Sequence, residues 1–150
     1  EELRALTNGV CLSQNHTHLE KAFAQYPIGL HWVHEISECR PKLTRPLVRL
    51  LIKEHQLDEA LIALTPLPSD NKTDLLRARV YTLRDQPDAA ESVLRGALER
   101  DRMAPDIAAA LSKNLRLSGR EAEAREIIRP IVLTGSNHRA LAKEIKALGQ

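Results

Sequence analysis

The chain has 150 residues and a formal net charge of +2, and its composition is 43% hydrophobic, 28% charged and 3% aromatic. A chain of this length buries about 70% of the surface of its unfolded state, which is enough for one core or a short repeat array. The balanced charge excludes a bulk electrostatic attraction to nucleic acid or anionic membranes as the basis of function. Because aromatic side chains are so few, the core must consist of Leu, Ala, Ile and Val.

The first forty residues predict helices in an irregular arrangement. Residues 1–13 and 19–26 fit one divergent helical hairpin, and residues 28–39 fit an additional helix. On that additional helix, four potential metal ligands share one face at i, i+3, i+4 and i+7, namely His31, His34, Glu35 and Glu38. Because we identify no further ligand at a distant position in the sequence, we favour an amphipathic helix with Trp32 turned inward. We predict neither a metal nor a cofactor.

The sequence does not indicate in which cellular compartment the protein is located. Cys11 and Cys39 make no disulfide framework; free thiols are favoured, and one bridge between them remains an alternative. No apolar stretch approaches the roughly 18 residues that cross a bilayer, so we predict no membrane insertion of this segment. The start at Glu1, without a signal pattern, favours an excised domain or a processed form of a larger protein. Cytoplasmic and periplasmic locations both remain open.

From residue 41 onward, apolar residues recur with helical spacing and nothing alternates as a half-buried strand would, which predicts an all-α fold. Prolines, glycines and capping residues divide this region into helices. The predicted helices run from Pro46 to about His55, from Asp58 to Thr65, from Thr73 to Arg84, from Asp88 to Asp101, from Pro105 to near Gly119, over residues 120–129 before Pro130, and from a cap at Ser136 or Asn137 to about Leu148.

The helices repeat in pairs. Each second helix starts with a segment that ends in alanine, and Ala60, Ala90 and Ala124 are separated by 30 and 34 residues. Together with Gly119 in a turn, this pattern resembles the tetratricopeptide repeat family, a 34-residue helix–turn–helix unit. The sequence departs from the family in having Thr44, Asp74 and Ala108 where an early Trp is expected and Arg77 at an apolar position, and the first unit is four residues short. The shortfall fits either the second helix of that unit or the loop after it.

The resemblance implies a right-handed array of antiparallel helix pairs, that is, an α-solenoid. We expect one structural domain within a larger protein, made of a divergent N-terminal repeat or cap at 1–40, three repeats at 41–70, 71–104 and 105–138, and a C-terminal capping helix at 137–150.

The resemblance also implies a binding face, because family members usually hold partner peptides along the first helices of their units. The corresponding positions here are mostly basic and include Lys42, Arg45, Arg49, Lys53, Lys72, Arg79, Lys113 and Arg116. Leu75, Thr82, Asp106 and Ala109 complete this set, which we call the stripe. It predicts a groove for an acidic segment or a free C-terminal carboxylate. The alternative interpretation is a solvated helix face, since surface charges often have no partner.

The sequence contains no catalytic signature. It lacks a glycine-rich phosphate loop, a Gly-x-Ser-x-Gly elbow and a Cys-x-x-Cys pair. We therefore predict a non-catalytic protein–protein interaction scaffold. Two alternatives stay open, a helical-repeat nucleic-acid-binding module and a metal-binding module around His31 and His34. Nucleic acid is disfavoured by the low net charge and the scarcity of aromatics, and self-association is a further open question.

Overall fold

The computed structural model describes residues 41–149. Throughout this part of the chain the fold is all-helical, without strands, as the spacing of apolar residues predicted. The predictions for residues 1–40, including the hairpin, the inward-turned Trp32, the two cysteines and the metal-ligand face, lie outside the described residues. The expectation of a single structural domain stays a prediction.

The helix bounds follow the predicted order. A 3₁₀ turn at Pro41–Leu43 leads into the helices, which are α1 (Thr44–Lys53), α2 (Leu57–Leu64), α3 (Asn71–Leu83), α4 (Pro87–Arg100), α5 (Pro105–Leu117), α6 (Glu121–Leu133) and α7 (Arg139–Ala147). We call α1, α3 and α5 the first helices, and α2, α4 and α6 the second helices, of three successive pairs. The cap of α3 is Asp70, whose side chain accepts a hydrogen bond of 2.8 Å from the Thr73 N–H.

Several predicted boundaries are wrong. Helices α1 and α3 begin at Thr44 and Asn71, two residues before the predicted starts. Helix α6 does not end before Pro130 but continues to Leu133, because Ile131 packs into the core and this burial offsets the one hydrogen bond that proline cannot donate. Helix α7 begins at Arg139, so its cap is His138 rather than Ser136 or Asn137, and His138 makes no side-chain capping bond.

The chain divides into two compact units, residues 1–67 and 68–150. In the described part of the first unit, α1 packs on α2. Leu47, Val48 and Leu51 on α1 are fully buried, as is Ala60 on α2. Their spacing of three and four residues places the apolar side chains of α1 on one face of the helix.

The second unit is organised around α5. Helix α3 packs on α4, α5 packs on α6, and α5 also contacts α3, α4 and α7. Ile107, Leu111 and Leu115 project from α5 and are fully buried in a core that includes Leu94 and Ile128. These aliphatic side chains, interleaved with alanines, form a close-packed core, and the partly buried Tyr81 packs against it.

All three first helices end in the same turn. His55, Asp85 and Gly119 adopt the left-handed conformation, with φ of 58°, 58° and 77°. The next N–H in each turn bonds back to a carbonyl near the end of the first helix, at 2.9 Å in each of the pairs Gln56 to Leu51, Gln86 to Tyr81 and Arg120 to Leu115. This is the Schellman arrangement. The sequence identified Gly119 as a turn residue, whereas the equivalent roles of His55 and Asp85 became visible only in the backbone.

The second helices also begin alike. Ala60, Ala90 and Ala124 each occupy the fourth position of their helix and are fully buried. The four-residue shortfall of the first pair arises in its second helix, since α2 has 8 residues and α4 has 14. The loop after α2 partly compensates by being two residues longer than the loop after α4.

We predict that Asp85→Gly stabilises the protein by about 0.5 to 1 kcal/mol, because glycine reaches the left-handed conformation without the Cβ penalty. The matched variant Gly119→Ala should destabilise it by about 1 kcal/mol. A Cβ at Gly119 would meet no atom within 4 Å, so that cost is conformational and not steric. Urea denaturation of both variants measures the two changes. A loss of stability in Asp85→Gly would show that the aspartate side chain, and not the turn, matters there.

Candidate partner-binding groove

Two adjoining depressions lie on the second unit, where α3, α5 and α7 expose side chains. The first measures about 250 Å³ and is lined by Leu75, Ala78, Arg79, Thr82, Leu83, Leu94, Ala110, Lys113, Asn114 and Leu117. The second measures about 450 Å³ and is lined by Leu75, Asp106, Ala109, Ala110, Lys113, Arg116, Ala140, Lys143, Glu144 and Ala147. Because Leu75, Ala110 and Lys113 belong to both, the depressions are continuous, and we call them together the groove.

Helical periodicity on α5 explains how one helix supplies both the core and the groove. The residues that enter the core recur at Ile107, Leu111 and Leu115. Ala110 and Lys113, three residues apart, fall on another face and line the groove instead. Because α5 is held on several sides, its groove-lining side chains stand on a rigid element.

The wall and floor of the larger depression are made of small side chains. Ala109 and Ala110 on α5 face Ala140 and Ala147 on α7, and Leu75 on α3 borders them. Alanine leaves free the volume that a longer side chain would occupy, so the depression exists because these positions are small. The surface offered to a partner is largely apolar between charged rims.

The charges of the groove are predominantly basic. Arg79, Lys113 and Lys143 are exposed at its rims. Asp106 also lines it, but one of its carboxylate oxygens already accepts a hydrogen bond of 2.9 Å from the Ile107 N–H at the start of α5. Apart from the Arg116–Glu144 pair described next, the lining of the groove therefore has three cations and one carboxylate.

Arg116 and Glu144 form an ion pair at the base of the groove. Arg116 Nε donates to Glu144 Oε1 at 2.8 Å and its Nη2 donates to Oε2 at 3.4 Å. The Glu144 side chain is 7% exposed and that of Arg116 is 24% exposed. The hydrogen bond to Glu144 raises the pKa of Arg116 above its usual value. Arg116 is therefore a neutralised link between α5 and α7, and not the open cation that its place in the stripe suggested.

Glu144 was missed in the sequence, although a signal was present. Leu141 and Glu144 on α7 and Leu148, which directly follows it, are all buried, at spacings of three and four residues. A carboxylate within such an apolar series must have a partner, because an isolated buried charge is very unfavourable. The pattern could have indicated a buried ion pair but not that Arg116 supplies its other half. Lys143 was also missed, since α7 was treated only as a cap.

Most stripe positions of the second unit lie together in the groove. Besides Arg79, Lys113 and Arg116, these are Leu75, Thr82, Asp106 and Ala109. Lys72 is exposed in the first turn of α3 and is not among the lining residues. The four remaining cations belong to the first unit, where Lys42, Arg49 and Lys53 are exposed and Arg45 is half-buried.

Two departures from the repeat pattern compensate each other. Asp74, at the position of the family's early Trp, is buried and pairs with Arg77, the charged residue at an expected apolar position, at 2.9 Å. Arg100 at the end of α4 also donates to Asp74. A charged link between α3 and α4 therefore replaces apolar contacts there.

A second ionic network joins α4 to α6 away from the groove. Arg95 and Arg120 each donate to Glu91 at 2.7 Å, and Arg120 also donates to Glu123 at 2.6 Å. Burial acts to raise the pKa of Glu91, but the hydrogen bonds from Arg95 and Arg120 outweigh it and hold the pKa below the usual 4.5. The hydrogen bond from Arg120 lowers the pKa of Glu123 as well.

Residues 41–149 contain neither a metal-binding cluster nor a helix that could span a membrane. Within that range no three or more His, Cys, Asp and Glu side chains cluster so as to hold a metal ion. The candidate ligands His31, His34, Glu35 and Glu38 lie outside it. None of the described helices combines the length and apolar character needed to cross a membrane.

Comparison with known proteins adds no assignment. The chain matches no protein-family model, no curated protein and no solved structure.

We predict that Glu144→Ala destabilises the protein by about 2 to 3 kcal/mol, because it leaves Arg116 partly buried without its counter-charge and removes a link between α5 and α7. Chemical denaturation measures the loss. Glu126→Ala is the matched control, because Glu126 is 70% exposed and its pairing with Arg129 at 3.4 Å is solvated. Equal effects of the two substitutions would contradict a structural role for the buried pair.

The Glu91 network predicts a dependence on pH. Because the folded pKa of Glu91 is lower than its unfolded value near 4.5, its ionised form stabilises the fold above pH 4.5, and this contribution is lost as the pH falls through the folded pKa. We expect Glu91→Gln to lose less stability than the wild type between pH 6 and pH 3, by no more than about 1 kcal/mol. Urea titrations across this range measure the difference, and parallel curves would contradict it.

Proposed function

We propose that the chain is a non-catalytic interaction scaffold, built as a right-handed tetratricopeptide-like array that α7 caps, and that it binds an acidic segment of a partner protein in the groove. The observation that carries the proposal is the continuity of the groove, in which an apolar floor of small side chains lies between Arg79, Lys113 and Lys143. The proposal includes no cofactor and no catalytic residue.

Support for a repeat array comes from the recurrence of one local geometry. The three first helices end in the same left-handed turn, and the three second helices bury an alanine at the same position. A helical hairpin cannot bury its apolar face alone, so repeated hairpins favour stacking on one another. In such an array Lys42, Arg45, Arg49 and Lys53 would extend the basic character of the first helices; this extension stays a prediction.

Support for an acidic partner comes from the balance of forces in the groove. An exposed charge pair contributes about 0 to 1 kcal/mol, so the three cations alone would give little affinity. The apolar floor supplies surface to be buried, at about 25 cal/mol per Å². The cations then select for negative charge and accelerate encounter. A segment with both carboxylates and apolar side chains matches both parts of this surface.

The test uses a labelled acidic peptide that contains leucines and its amide counterpart, in which Asn and Gln replace Asp and Glu. We expect the wild type to bind the acidic peptide and to bind it more weakly as salt is added. Double charge reversal by Arg79→Glu with Lys113→Glu should weaken binding about tenfold or more. Fluorescence polarisation measures both effects.

Arg129→Glu is the matched control, since Arg129 is 69% exposed on α6 and does not line the groove. It changes the same type of charge and should leave affinity within about twofold. Equal weakening by the control and the groove variant would indicate a non-specific charge effect and contradict the groove assignment. Salt-sensitive binding of a single-stranded oligonucleotide, without binding of the acidic peptide, would instead favour the nucleic-acid alternative.

A further inference from the structure

Large apolar side chains that remain exposed are few in the described part of the chain, and two of them lie in the groove. The exposed set is Ile62, Leu83, Met103, Leu117 and Leu133. Leu83 and Leu117 are the last residues of α3 and α5, which places them at the same position in successive first helices. They are 46% and 64% exposed, and both line the smaller depression. The same position in α1 holds Lys53.

The smaller depression differs in character from the larger one. Leucines and alanines supply most of its lining, and we name it the leucine pocket after Leu75, Leu83, Leu94 and Leu117. Arg79 and Lys113 stand among these apolar residues. Its volume of about 250 Å³ exceeds the roughly 150 Å³ of a cavity that holds benzene, so an aromatic side chain has room to enter.

We propose that the acidic segment carries an aromatic side chain that enters the leucine pocket, with its carboxylates directed to Arg79, Lys113 and Lys143. This inference rests on the proposed function and specifies the partner's sequence class. A bound aromatic ring would cover the exposed surfaces of Leu83 and Leu117, which water otherwise contacts. Arg79 and Lys113 would add a cation–π attraction wherever they approach the face of the ring.

The charge of the groove argues against a second copy of this chain as the occupant. The groove presents two cations in the leucine pocket and a third, Lys143, in the larger depression, whereas the chain carries a net charge of +2 and few aromatic residues. A copy would therefore bring neither an acidic excess nor an abundance of rings. A short segment of another protein, with acidic residues on both sides of Phe, Tyr or Trp, complements both features.

The experiment compares two labelled peptides, Asp-Glu-Phe-Asp-Glu and Asp-Glu-Ala-Asp-Glu, which carry the same charge. We expect the Phe peptide to bind about tenfold to a hundredfold more tightly, because only its ring fills the leucine pocket. Leu117→Gln should weaken binding of the Phe peptide about fivefold and leave the Ala peptide unchanged. Because Leu117 is exposed, this substitution is compatible with folding, which circular dichroism checks.

Leu133→Gln is the matched control, since Leu133 is 79% exposed on α6 and lies outside the groove. It should change neither affinity. Equal binding of the two peptides, both weakened by Arg79→Glu with Lys113→Glu, would overturn the aromatic specificity and leave the proposed function standing. Failure of both peptides, and of the leucine-containing acidic peptide, to bind would overturn the two proposals together.

Discussion

The burial of one face of α5 is the constraint on which the second unit depends. Ile107, Leu111 and Leu115 are fully enclosed, and the helix that carries them contacts α3, α4, α6 and α7. Helical periodicity then leaves a different face of the same helix for Ala110 and Lys113, which line the groove. The position of the candidate site therefore follows from the packing of the core. A change in a core side chain of α5 would be transmitted to the groove, because close-packed interiors do not absorb changes in volume locally.

Buried charges replace apolar contacts at two joints of this unit. Asp74 of α3 pairs with Arg77 of the same helix and with Arg100 of α4, and Glu144 of α7 pairs with Arg116 of α5. Such pairs add little net stability, because the loss of hydration offsets much of the attraction. They constrain the positions of the side chains more than they raise the free energy of unfolding, since each carboxylate must lie beside its guanidinium. At the groove this constraint also removes Arg116 from the set of cations open to a partner, so Arg79, Lys113 and Lys143 carry the recognition of charge.

Local patterns were sufficient to predict the order and type of the described helices. Apolar spacing gave the helices, Pro105 gave the start of α5, and the recurrence of Ala60, Ala90 and Ala124 gave the pairing. Pro130 misled because the rule for proline is local, whereas burial of Ile131 depends on tertiary packing. The pairing of Glu144 with Arg116 spans 28 residues, and periodicity does not specify contacts at that distance. The leucine pocket was missed because it forms between residues of different helices, such as Leu83 of α3 and Leu117 of α5, and periodicity does not specify contacts between helices.

The left-handed turns have a consequence for how such a chain can be recognised by comparison. His55, Asp85 and Gly119 share one backbone conformation while differing in side-chain chemistry. Sequence comparison scores residue types, and these differ at the three positions. What the positions share is the backbone torsion angle φ, which is positive in each. A profile that expects glycine loses two of the three turns in this chain, even though the N–H that follows the left-handed residue bonds back at 2.9 Å in each. Search profiles built on torsion angles, rather than on residue types, would align the three pairs with one another.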